Sequence, residues 1–280
     1  MEGKTVFITG ANTGIGRATA VALAKQGAVV FLAGRSRERH EPVLAEIASQ
    51  GGTATFLELQ LDDLASVRAC AERFLAMDVA LHVLINNAGL AGRRGLTKDG
   101  FELTFGVNHL GHFLLTELLL PRLQASCPAR IVNVSSEAHY RAQGIPWAAL
   151  QAPTASLTGF PEYQVSKLCN VLHAKELAAR LAGTGVTTYA LHPGVIASDV
   201  WRAVPWGVRH VMRLFMKSVE HGAATSVHCA SAEALGTESG LYYDSCALQE
   251  PSVLARDETL RNELHRRSVV WCGLSSNTGA

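Results

Sequence analysis

Apolar residues recur along this chain in two alternating rhythms. Short runs rich in Val, Ile, Phe and Leu have strand character, and between them lie Ala- and Leu-rich stretches with apolar positions three and four apart, as on one face of a helix. Strands are predicted at 5–9, 28–33, 53–60, 81–86, 130–135, 186–191 and near 240–243. Helices are predicted after the first glycine turn to Gln26, then at 38–49, 64–76, about 100–123, Tyr163 to Leu181, and about 255–268. Alternating βα units of this length predict an α/β fold, one doubly wound parallel sheet with helices on both faces.

Composition narrows the classes. A chain of 280 residues with 48% hydrophobic content can bury a large core in one domain. A net charge of +1 offers no basic field for nucleic acid. Six cysteines are scattered without a Cys-x-x-Cys pair, against a zinc site or disulfide framework and in keeping with a reducing, cytoplasmic setting. The longest apolar runs fall far short of the ~20 residues a membrane span needs. The domain is expected over 1–274, with halves meeting near residue 135, and the polar tail 275–280 is expected to fray.

Three motifs carry chemistry. The first is Gly10-Ala-Asn12-Thr13-Gly14-Ile15-Gly16, between the first strand and the first helix. Strand, glycine turn and helix are the setting of a dinucleotide fingerprint: glycines let the backbone approach a diphosphate, and the helix N-terminus supplies N–H donors. The spacing here is Gly-x-x-x-Gly-x-Gly rather than Gly-x-Gly-x-x-Gly. The second lies at the end of the second strand, where an acid would hold the ribose 2′-hydroxyl of NAD and an arginine accommodates the 2′-phosphate of NADP. Arg35 stands there, which predicts NADP(H), while Arg37 and Arg39 read as solvated residues opening the next helix. The third is Tyr163-Gln-Val-Ser-Lys167. Residues four apart on a helix lie one above the other, and a cation beside a phenol favours the phenolate, lowering a pKa that is ordinarily about 10. Such a pair suits general acid/base work, although Tyr-x-x-x-Lys alone is common by chance.

Taken together, Thr9-Gly10-x-x-x-Gly14-x-Gly16, Asn86-Asn87-Ala88-Gly89, Asn108, Ser136, Tyr163-x-x-x-Lys167 and Pro193-Gly194 resemble the short-chain dehydrogenase/reductase superfamily, in its order and over nearly the whole chain. Val107-Asn-His-Leu-Gly-His-Phe and Ser166-Lys-Leu-x-Asn-Val-Leu resemble its retinol dehydrogenase branch. The resemblance implies a Rossmann-type fold and a catalytic tetrad: Ser136 holding the substrate oxygen, Tyr163 exchanging the proton, Lys167 binding the nicotinamide ribose, and Asn108 positioning a water that relays protons to Lys167. It also implies cofactor contacts at the glycine loop, Asn87, Ala88, Gly89, Pro193, Gly194, Ile196 and Ser198. At the adenine, where the family usually has Asp, it places Gln60. The implied activity is NADP(H)-dependent interconversion of a lipophilic alcohol and its carbonyl, a retinol/retinal-like pair. Alternatives are a carbonyl reductase for bulky or steroid-like ketones, a protochlorophyllide reductase, and a non-catalytic NADP sensor. By analogy, two subunits are expected to pair through the long helices around Asn108 and Tyr163.

Some features belong elsewhere. His109 and His112, three apart, read as part of the Asn-His-Leu-Gly-His pattern rather than as metal ligands. The segment 200–217 interleaves Trp201, Trp206 and Phe215 with Arg202, Arg209, Arg213 and Lys217. It is expected to be a mobile lid over an apolar substrate, with a basic face suited to water or peripheral contact with anionic lipid. The hydrophobic N-terminal anchor of many vertebrate retinol dehydrogenases is absent here, as expected either of a soluble relative or of a chain trimmed at its start.

Overall fold

The β-branched runs become strands β1 (Thr5–Thr9), β2 (Val29–Gly34), β3 (Thr53–Glu58), β4 (Val83–Asn86), β5 (Ala129–Val134), β6 (Val186–His192), β7 (Leu241–Asp244) and β8 (Ala247–Gln249). In the computed structural model, which describes residues 1–194 and 219–274, they form one sheet in the order β3-β2-β1-β4-β5-β6-β7-β8. All neighbours are parallel except β7 and β8. Every residue of β1 is buried, as expected of a parallel strand covered on both faces. The doubly wound α/β architecture read from the alternation is therefore present. The lid expected at 200–217, with Ile196 and Ser198, lies outside the described residues.

Helices α1 (Gly14–Lys25), α2 (Arg37–Ser49) and α6 (Val219–Ser231) lie over one face of the sheet. Their apolar core gathers Val6, Ile8, Leu23, Leu32, Ile47 and Tyr189. Helices α3 (Leu64–Leu75), α4 (Gly111–Ala125), α5 (Phe160–Arg180) and α7 (Glu258–Trp271) cover the other, around Phe7, Phe74, Phe113, Leu168 and Leu172. Each of α2, α3 and α7 starts on a side-chain cap: Ser36, Asp63 and Asp257 accept hydrogen bonds from first-turn N–H groups. Two elements do not show in the sequence pattern. The three-residue hairpin strand β8 is exposed throughout, so it carries no alternation. The sequence of α6, rich in Ser, Thr, His and Gly, is a weak helix former. Packing on α1 and the sheet stabilises it instead.

The helix expected at about 100–123 is built in three pieces: an α turn, Leu103–Phe105, a π-helical turn, Gly106–Leu110, and α4. Glycines stand at both joints because nothing larger fits. A Cβ on Gly106 would lie 2.2 Å from Thr97 Cγ2, and one on Gly111 would lie 2.6 Å from the Leu61 carbonyl oxygen. Asn108 sits in the middle of the widened turn, and such turns are frequent at functional sites.

Candidate active site

In a doubly wound sheet, ligands bind beyond the carboxyl ends of the strands where the winding reverses. Here the reversal falls between β1 and β4, and a cleft of about 650 Å³ opens there. Its walls bring together Gly10, Asn12, Thr13, Gly14, Ile15, Gly16, Arg35, Asn87, Ala88, Gly89, Ser136, Tyr163, Lys167, Pro193 and Gly194. Residues far apart in the chain thus line one continuous space.

The glycine loop is held close to the Asn87 strand end. Gly10 has a φ of +69°, and a Cβ there would come within 2.9 Å of Ala88. A Cβ on Gly16 would lie 2.4 Å from the Gly10 carbonyl oxygen and 2.5 Å from Asn87 Nδ2. Asn87 Nδ2 donates to the carbonyls of Thr9 (2.8 Å) and Gly10 (3.3 Å). The Thr9 hydroxyl accepts the N–H groups of Asn87 (3.0 Å) and Ala88 (2.9 Å). The result is a narrow backbone cradle at the N-terminus of α1, which fits a dinucleotide diphosphate.

At the adenosine end, Arg35 and Arg39 both line the cleft. Arg39 is exposed in the first turn of α2, as expected of a solvated residue, and it also borders the cleft. The Ser36 hydroxyl accepts its N–H at 3.3 Å, and α2 starts one residue beyond this cap. Arg37 does point away, 3.7 Å from Glu41. Gln60 is not on the wall, which at that point is made by Leu59, Leu61 and Asp62. Its N–H donates to Ser66 Oγ at 3.0 Å. Asp62, two positions on, is the acid on this part of the wall.

At the other end, Ser135 and Ser136 divide their tasks. Ser135 Oγ donates to the Lys167 carbonyl at 2.7 Å and ties β5 to α5, whereas Ser136 Oγ accepts the Ala138 N–H at 3.2 Å and stands beside the Tyr163 phenol. Lys167 Nζ donates to the Val134 carbonyl at 2.9 Å and lies 5.6 Å from the centre of the Tyr163 ring. Burial, with no acid beside it, pushes the Lys167 pKa down to about 7. Burial likewise raises the Tyr163 pKa; the Ser136 hydroxyl opposes this and the nearby Glu137 charge adds to it. The expected lowering of the phenol by Lys167 is therefore not present. Two buried groups share the same desolvation, and a half-neutral amine is a weak source of field.

Asn108 is fully buried and off the cleft wall. Its Oδ1 accepts from Leu90 N (2.7 Å), and its Nδ2 donates to the Leu90 carbonyl (3.0 Å) and to Ser166 Oγ (2.9 Å). Both amide N–H groups are engaged inside the protein, and the backbone carbonyl lies 3.1 Å from His112 Nδ1. Glu137, Arg93, Arg141 and Phe160, not singled out from the sequence, also line the outer cleft. Phe160 stacks on the Tyr163 ring at 5.8 Å. Among the described residues no group of His, Cys, Asp and Glu is placed to hold a metal, and no helix is long and apolar enough to cross a membrane.

Comparison with known proteins gives this geometry its context. The sequence profile of the short chain dehydrogenase family matches residues 4–207. Human retinol dehydrogenase 12 is 46% identical over 98% of this chain and 88% of its own length. A crystal structure of an uncharacterised protein from Mycobacterium paratuberculosis superposes with a TM-score of 0.79 at 32% identity, covering 98% of this chain and 94% of that one. The 3-ketoacyl-(acyl-carrier-protein) reductase of Brucella melitensis, crystallised with NADH, superposes with a TM-score of 0.69 at 25% identity, over 87% of this chain and 96% of that one.

Proposed function

Since the chain belongs to the short-chain dehydrogenase family, and a retinol dehydrogenase and a ketoacyl reductase are among the proteins it resembles, we propose that it interconverts a lipophilic alcohol and its carbonyl, a retinol/retinal-like pair, using NADP(H). One observation carries the reading: the Ser136–Tyr163 pair and Lys167 stand in the same cleft as the Gly10–Gly16 cradle and the Arg35/Arg39 pair. The cradle fits the diphosphate, because glycines at 10 and 16 let the loop close on the Asn87 strand end at the N-terminus of α1. Two guanidiniums fit a ribose phosphate better than a bare hydroxyl.

A bound nicotinamide would supply or take up the hydride. The chain's own part is to handle the oxygen. Negative charge grows on a carbonyl oxygen as hydride arrives, and two hydroxyl donors aimed at it stabilise that charge without a metal. Ser136 holds the oxygen and orients the phenol, and Tyr163 delivers the proton. Lys167, one turn deeper, becomes more fully protonated when anionic groups of the dinucleotide enter, and its charge then favours the phenolate left after transfer. Burial of all three excludes bulk water.

The charged outer cleft favours a second reading. Arg93, Glu137 and Arg141 stand where a wholly apolar polyene would find no partner, and a bulky ketone with polar substituents would. Steady-state rates with NADPH and NADH across retinoid, alkyl and aryl aldehydes and bulky ketones separate the two. The first reading expects retinal-like aldehydes with NADPH to give the highest kcat/KM. Preference for ketones selects the second reading. Cofactor binding without turnover of any carbonyl would overturn both and make the protein a dinucleotide sensor.

A further inference from the structure

The buried hydrogen bonds behind the cleft converge on one side chain outside the Ser-Tyr-Lys set. His112, in the first turn of α4, is buried at 2% exposure. Its Nε2 lies 2.8 Å from Thr9 Oγ1 and its Nδ1 lies 3.1 Å from the Asn108 carbonyl oxygen. A carbonyl can only accept, so Nδ1 carries the proton and Nε2 is the lone-pair nitrogen. Thr9 Oγ1 already accepts two N–H groups, from Asn87 and Ala88, so its own proton is directed to Nε2. One tautomer satisfies every partner. A cationic ring would place a third N–H on the Thr9 oxygen and leave the hydroxyl proton without an acceptor.

On the reading of the site as a dinucleotide cleft, we propose that His112 is a positioning residue: its Nδ1–H tautomer locks the Thr9–Asn87–Ala88 cradle to the Asn108 turn. Through Asn108 the connection continues to Leu90 and Ser166, and Ser166 Oγ donates to the Tyr163 carbonyl at 2.8 Å. The cofactor cradle and the helix that bears Tyr163 are thereby set relative to each other by a single imidazole. The ring is suited to this because it spans an acceptor and a donor on opposite sides with no rotatable joint between them. The environment also favours the neutral ring. Burial, opposed by the Asn108 bond and reinforced by Lys167, brings its pKa down to about 4.

Two measurements test this, one of which does not depend on the cofactor. Imidazole nitrogen NMR of the protein, with the His112 signal identified by its loss in His112→Gln, should show a protonated Nδ1 and a lone-pair Nε2. This is the opposite of the tautomer preferred in water. NADPH is then titrated by energy transfer from tryptophan. His112→Leu leaves the Thr9 hydroxyl unpaired and should weaken NADPH about tenfold. His112→Gln, whose amide oxygen can still accept from Thr9, should recover affinity to within about twofold, with both variants melting within a few degrees of each other. An Nε2–H tautomer, unaltered NADPH affinity in His112→Leu, or equal weakening by Leu and Gln would each overturn the proposal. If His112→Leu does not fold, the tautomer and the Gln variant decide. If the wild type binds neither NADPH nor NADH, the functional reading fails, while the tautomer still decides whether the hydrogen-bonded frame exists.

Discussion

Tyr163 and Lys167 stand one helical turn apart, yet what each does depends on what else is buried with it. The phenol stands beside Ser136 and has Phe160 against its ring, so the proton transfer proposed for it is separable from cofactor binding. Tyr163→Phe should lower kcat by at least about a hundredfold, while NADPH affinity stays within a factor of about two. A variant that retains most of its turnover would remove Tyr163 from the chemistry. At the far end of the cleft, Arg35 and Arg39 both line the wall, where the sequence singles out Arg35 alone. A charge-assisted contact is worth about 1.5–3 kcal/mol, so Arg35→Asp should cost roughly ten- to a hundredfold in NADPH affinity and move preference towards NADH. Equal use of both cofactors by the wild type would refute the assignment. Arg39 is hidden in the sequence because position 39 faces the cleft only once Ser36 fixes where α2 begins. Gln60 stands off the cleft wall, its N–H held by Ser66 Oγ, while its neighbours Leu59, Leu61 and Asp62 line the wall.

Among the elements, the seam where α4, α5 and α7 meet has the most distinctive chemistry. His109 lies before α4, His112 on it, His173 on α5 and His265 on α7, and the rings of His109, His173, Phe113 and His265 pack in sequence at 5.2 to 6.0 Å. Glu117, Glu176, Arg180 and Arg261 are the charged groups around them. Burial holds His109 down to about 3 and His112 to about 4, and His173 is lowered well below its ordinary value by burial and by its His and Arg neighbours. The folded pKa values lie below the unfolded value near 6.5, so the unfolded chain binds more protons in between. Stability from these groups is therefore complete above about pH 6.5 and is lost as pH falls towards 4. For one group with a folded pKa of about 4, the loss at pH 5 is about 2 kcal/mol. Urea denaturation at pH 7 and pH 5 should show this loss, and His109→Gln or His173→Gln should reduce it. Equal stability at the two pH values would contradict it. The helices carrying these rings are legible as apolar periodicity. The π turn is not: at its two joints Thr97 and Leu61, from elsewhere in the chain, come close enough to exclude a Cβ at Gly106 and Gly111.

Across the whole molecule, the order of βα units and the cleft at the winding reversal follow directly from the pattern of apolar runs and glycines. What does not follow is the position of the last helix. The sequence locates α7 but says nothing of what it covers. It lies along the α4–α5 groove: Arg261 reaches Glu176 at 3.2 Å, His109 Nε2 meets Ser268 Oγ at 3.3 Å, and Trp271 packs edge-on against Phe105. Pairing of two subunits through the long helices, expected by analogy, would have to displace it. Sedimentation equilibrium should accordingly give the mass of one chain, and removing residues 258–280 should make the protein self-associate. A stable dimer in which α7 stays protected from hydrogen exchange would show that another face pairs. The groove also has a history within each molecule's own synthesis. Strand β6, helix α6 and the β7–β8 hairpin all leave the ribosome after α5 and before α7. Throughout that interval the nascent chain carries an open apolar seam, and this is the stage at which chaperones, or a second nascent chain, would find it.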